Sequence, residues 1–132
     1  MANKFQRIGN MEYQRIKRVM EGKSAFIAEG DGKEIADLDD YLSAVWGAFK
    51  FPRPDNMNFY SYIDWICDLD WLSSNSYVIA ILNSDSFMLR SPKERQLVFD
   101  SLEDTVLPWW EGEIEQHVVG GKAKPFDVYL VD

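Results

Sequence analysis

The chain has 132 residues, 46% of them hydrophobic and 14% aromatic, with 14 Lys/Arg against 22 Asp/Glu and a formal net charge of -8. That length suits one domain able to bury a core without metal or disulfide staples, and so rich an aromatic content argues against disorder. The acidity is uneven, with seven Lys/Arg and four Asp/Glu in residues 1–33 but seven and eighteen in residues 34–132; such a body repels nucleic acid and attracts basic proteins.

Predicted elements follow from hydrophobic spacing. Residues 10–22 read as a short basic helix, with Asn10 as a cap, Tyr13, Ile16 and Met20 on one face, and Gly22 at its end. Residues 24–30 form a short apolar run closed by Gly30, Asp31 and Gly32, as a strand would be. From Asp37 a helix carries Leu38, Tyr41, Leu42, Val45 and Phe49 on one stripe, and Pro52 lies beyond its end. A second helix follows the loop around Pro54, and residues 76–84, SYVIAILNS, have the continuous apolar pattern of a strand buried on both faces. Ser91 and Pro92 open a further helix with Leu97, Phe99, Leu102 and Val106 inward, which Pro108 breaks or kinks. A strand in PFDVYLVD closes the chain.

Strands alternating with helices imply an α/β domain with a small three-stranded parallel sheet and about four helices over residues 24–132. Residues 1–23 read as a basic helical extension, for which two roles stay open: packing on the acidic body or holding a partner.

The stretch DNMNFYSYIDWICDLDWL, residues 55–72, concentrates the chemistry, with five aromatics, four aspartates and no lysine or arginine. On a helical wheel Phe59, Tyr62, Ile63, Ile66 and Leu69 share an arc of about 120°, wide enough to face a core. Tyr60, Ser61, Asp64, Asp68 and Trp71 fall on the opposite side. Acids of one sign at that spacing repel unless a cation balances them, and amphipathic aromatics are enriched at interfaces. The unpaired charge therefore points to a basic protein partner.

This run, with Phe51 and Pro52 upstream and an apolar strand after it, resembles the barstar family of ribonuclease inhibitors; Asn58, Asp64, Asp68, Leu69, Asp70, Trp71 and Leu72 fit that pattern. The resemblance covers roughly residues 24–132. It implies the barstar-like fold, no enzymatic activity and no cofactor or metal. It also implies a bacterial immunity protein that blocks the basic active site of a cognate ribonuclease toxin, one of the cell's own or one delivered by a neighbour, as a 1:1 complex. A barstar-fold module for a non-ribonuclease toxin or another protein is the alternative. The carry-over of contact residues is partial. Asp64 matches the central acid of the motif, whereas Tyr60 stands where the first acid stands, and Pro54 and Asp55 replace the aromatic pair and glycine of the preceding loop. Asp55 is expected to restore the missing charge. The family's further acid, from a later helix, falls on Asp104 or, less well, on Glu103.

Other candidates have bland explanations. His117 is the only histidine and lacks partners for a triad. Cys67, the single cysteine, precludes an internal disulfide and has no neighbouring base to activate it. Catalysis by Asp64 and Asp68 would need a pocket that splits their pKa values. The Asp-rich segments lack the ligand spacing of a calcium loop, and residues 119–124 lack the ending of a phosphate loop. Trp109 and Trp110 offer either a second contact surface or closure of the core, with at least one ring expected inside. With no signal-like run and no eighteen consecutive apolar residues, a cytoplasmic protein without a membrane span or small-molecule substrate is expected.

Overall fold

A computed structural model describes residues 2–132. In chain order it contains β1 (Phe5–Ile8), α1 (Asn10–Gly22), β2 (Phe26–Asp31), α2 (Leu38–Phe49), α3 (Phe59–Ile66), β3 (Tyr77–Leu82), α4 (Pro92–Ser101), α5 (Ile114–His117) and β4 (Phe126–Val131). All strands are parallel, in the order β1-β4-β3-β2. The α/β expectation therefore holds, with four strands instead of three. The extra strand pairs Phe5 through Ile8 with Val128 through Val131, and its four residues, two of them polar, are too few to show a period in the sequence.

The sheet is covered on both faces, and the two-residue period of the strands sorts the core. Tyr77, Ile79 and Ile81 of β3 join Phe126, Val128 and Leu130 of β4 under α2, α3 and α4, while Val78, Ala80, Tyr129 and Val131 meet Tyr13 of α1 on the other side. β3 is an inner strand with five of its six residues buried, in agreement with its unbroken apolar run. α1 connects strands at opposite edges of the sheet and is tied down by Tyr13, whose hydroxyl donates to Glu29 Oε2, and by the Lys17–Glu29 ion pair. α1 thus covers the second face of this sheet. Gly9 occupies the cap position of α1 and Asn10 makes no cap bond, so the Asn10 expectation is corrected.

α2 begins at Asp37, whose carboxylate accepts from the Asp40 N–H at 2.9 Å, and ends at Lys50 in the left-handed region. At α4 the proline expectation holds, because Pro92 sits in the first turn, but Ser91 makes no cap bond. Leu97, expected inside, is exposed, and Val98 is buried beside Phe99 in its place. Pro108 does not break the helix. Helical backbone continues from α4 to α5 through two wide π-helical turns, Leu102–Val106 and Trp109–Glu113. Proline lacks the N–H that a regular turn would use, and a wider turn absorbs that loss with an extra residue. Asn3 Nδ2 donates to the Leu107 carbonyl at 3.0 Å and so occupies an acceptor beside Pro108. At Gly32 a side chain would lie 2.4 Å from the Asn83 carbonyl oxygen, so only glycine lets the end of β2 approach that loop.

Candidate functional site

α3 starts at Asn58, whose side-chain oxygen accepts the Ser61 N–H at 2.9 Å. This capping satisfies one of the orphan donors of the first turn. Its inward residues behave as the wheel predicts: Tyr62, Ile66 and Leu69 are buried, with Phe59 and Ile63 packed beside them. The Tyr62 hydroxyl bonds to Tyr41 Oη at 2.8 Å and Ser101 Oγ at 3.1 Å, a link that fixes α3 against α2 and α4. Burial pushes the Tyr62 phenol up to about 12 despite those bonds.

The helix is shorter than its sequence pattern. It stops at Ile66, and Leu69 turns the chain with φ of 53°. A left-handed leucine is unusual; its side chain is buried, so packing holds the turn where glycine would be expected to make it. The C-terminal carbonyls that this stop leaves open are taken by tryptophan. Trp110 Nε1 donates to the Ile66 carbonyl at 3.0 Å, and Trp109 Nε1 to the Cys67 carbonyl at 2.7 Å. Trp110 is buried and Trp109 half-buried, so the pair closes the core against the end of α3.

On the outer side, Tyr60 is 84% exposed, and Asp64, Asp68 and Asp70 are exposed as well. Ser61 is half-buried. Trp71 lies beyond the helix, where Nε1 donates to the Phe49 carbonyl at 2.8 Å and the ring meets Phe51 and Trp65 edge-on. It is 36% exposed, so one edge of the ring is fixed and the remainder faces outward. Ser101 touches Tyr62 and Trp110 touches Ile66, so the chain between these two anchors runs beside α3; it carries Glu103 and Asp104, both exposed. Among the described residues, the ion pairs are Arg7 with Asp85 and Asp132, Lys17 with Glu29, and Arg53 with Asp55. None of them involves Asp64, Asp68, Asp70, Glu103 or Asp104.

Asp55, expected to restore the missing charge, is paired within its own loop. Arg53, left-handed at φ 59°, grips it through Nε at 3.2 Å and Nη2 at 3.3 Å and holds its carboxyl below the usual range. Pro54 between them is exposed. The loop before α3 therefore carries a neutral pair.

Glu113 belongs to the tryptophan-bearing stretch that the sequence offered as a second contact surface. Burial, with Asp64 and Glu113 as the next contributions, pushes the Cys67 thiol up to about 12, which places both carboxylates in electrostatic reach of one sulfur. The wide turn at 109–113 brings Glu113 there, and sequence spacing carries no signal for such a turn. A cleft of about 540 Å³ adjoins this acidic turn, lined by Asp68, Asp70, Trp110, Val119 and Lys122 among others.

The positions of these acids are electrostatically unfavourable for the helix itself. Asp64 lies in the last turn of α3 and Asp68 just past its end, where the macrodipole is negative, and no basic residue occupies the last turn. Local stability does not explain such a choice. A family model described as Barstar (barnase inhibitor) matches residues 25–128. The chain belongs to the barstar family. Proteins of the barstar family are inhibitors that bind a ribonuclease and are not enzymes, and the segment with the unpaired acids lies within the matched residues. No curated protein and no solved structure gives a significant match. Among the described residues, no helix is long and apolar enough to cross a membrane.

Proposed function

We propose that this barstar-family protein is an immunity-type inhibitor that blocks a cognate ribonuclease toxin by setting the outer face of α3 into the toxin's basic active site. The observation that carries this reading is the exposed set Asp64, Asp68 and Asp70, unpaired and placed at the unfavourable end of the α3 dipole. Carboxylates at this surface stand where RNA phosphates would stand, so lysines and arginines that bind substrate bind the inhibitor instead. Asp64 is the central contact. Tyr60 and Trp71 supply aromatic cover on either side, Asp68 and Ser61 complete the helix face, and Asp104, with Glu103 next to it, adds charge from the neighbouring helix. Complementary charge speeds encounter and close pairs slow dissociation, a rule to which the family's namesake complex itself contributed.

Two features separate this surface from the family pattern and favour a narrower partner range. Tyr60 replaces an acid, and Arg53 neutralises Asp55 in the free protein. Both lower the charge offered at the loop side of α3. A toxin with fewer cations opposite that side fits better than one built for two adjacent acids. The same observations support a second reading, in which the fold binds a toxin of another chemistry.

The test is inhibition of RNA cleavage by two purified nucleases, barnase and the product of the adjacent gene, titrated with this protein. The proposed reading predicts stoichiometric loss of activity for the adjacent-gene product, at one equivalent, and weaker inhibition of barnase. Binding of that product with cleavage unaffected would move the assignment to the second reading.

A further inference from the structure

We propose that the open edge of β2 is a strand-docking site for a basic, extended peptide segment of another protein, separate from the α3 surface. β2 is the last strand of the sheet, and only β3 pairs with it. The Phe26 N–H donates to the Ser76 carbonyl on the β3 side, and the period of two then directs the backbone groups of Ile27 and Glu29 away from the sheet. Among the described residues these outward groups have no hydrogen-bond partner. Unpaired strand edges are templates for an added strand, which natural proteins usually blunt by proline, lysine or a covering element. Ile27, Ala28, Glu29 and Gly30 include neither residue type.

The space beside the edge suits an added strand. A groove of about 470 Å³ runs between Gly30 of β2 and α2, whose facing residues are the small Ser43, Ala44 and Ala48. Small residues there leave room for the alternate side chains of an incoming strand.

Charge selects the occupant. Glu29, Asp31, Glu34 and Asp40 rim the groove, and no lysine or arginine lines it. Lys17 balances Glu29, which leaves Asp31, Glu34 and Asp40 around six residues of edge without an ion pair among the described residues, although Asn83 and the Lys33 N–H bond to Asp31 and the Ala36 N–H to Asp40. A second copy of this chain would bring the same acids against these, so edge-to-edge dimerisation is opposed and a lysine- or arginine-bearing strand is favoured. The Glu29 side chain is held on the α1 face by Tyr13 and Lys17, so docking needs no rearrangement of the sheet.

The experiment uses the full chain, isotope-labelled, with a blocked peptide of alternating lysine and valine as probe. Docking predicts amide shifts confined to residues 26–31 and 43–48 and slowed hydrogen exchange at the Ile27 and Glu29 amides. Ile27→Pro removes an outward donor while sparing the groups bonded to β3, and should weaken the probe about fivefold to tenfold, the worth of one or two backbone hydrogen bonds. Glu34→Lys, an exposed change, should weaken it too and keeps the test decisive should Ile27→Pro not fold. Shifts confined to the α3 surface, unaffected by either variant, would overturn the proposal, as would absence of any shift at millimolar peptide. A concentration-dependent dimer abolished by Ile27→Pro would assign the edge to a second copy and overturn it equally. The α3 assignment is decided by RNase inhibition and is independent of these outcomes.

Discussion

The hydroxyl of Tyr62 is fully buried and bonded to two partners, whereas Asp64, two residues on, is exposed and joins no ion pair. One short helix thus presents a face whose every polar group is satisfied within the chain and a face whose charges are not. Among the described residues, no buried side-chain polar atom lacks a partner, so the unmet demand is concentrated at the surface. Substitutions on the inner face should cost stability, and those on the outer face should cost binding.

The largest effect that would break this division is at Trp110. Trp110→Ala removes a buried ring and its bond to the Ile66 carbonyl, and should lower unfolding stability by about 3–5 kcal/mol in urea titration. A loss below about 1 kcal/mol would mean that the end of α3 is held otherwise. Tyr62→Phe keeps the ring but strands the Tyr41 hydroxyl, whereas Ser101 Oγ keeps its bond to the Val98 carbonyl. It should cost roughly 1–2 kcal/mol, read by the same titration, and leave the exposed acids in place.

A pH experiment sharpens the comparison at the boundary between the faces. The folded Cys67 thiol lies above its unfolded value near 9, so its contribution to stability is complete below that value and is lost as pH rises toward 12. Wild-type stability should therefore fall from about pH 9 upward. Cys67→Ala should flatten the onset and leave the decline that the raised tyrosines, Tyr62 among them, bring at higher pH. An identical onset in both proteins would remove Cys67 from the account.

The smallest effect concerns the loop. Arg53→Gln should leave stability unchanged, because the pair with Asp55 is exposed at both ends. Release of Asp55 should nevertheless raise affinity for a basic partner a fewfold, chiefly through the association rate in stopped-flow mixing. Slower association would show that Arg53 itself contacts the partner.

Much of this was legible in the sequence, and the failures have identifiable causes. The α3 wheel sorted inner from outer residues because periodicity reports burial directly. It overran the end of the helix because the stop is a left-handed leucine held by tertiary packing, with no glycine to signal it. β1 escaped notice because a four-residue strand acquires its identity from pairing with β4. Pro108 suggested a break, yet wide turns carry the helix past it and bring Trp109, Trp110 and Glu113 to α3. Arg53 was overlooked as a partner for Asp55 because it lies just outside the acidic aromatic run.

The most direct measurement is calorimetric titration of the adjacent-gene nuclease with wild type and Asp64→Ala at low and moderate salt. The account predicts tight, salt-sensitive binding that Asp64→Ala weakens by roughly a hundredfold, with the melting temperature of the free variant unchanged. Equal affinity for the two proteins would contradict the central claim that the outer face of α3 is the inhibitory surface.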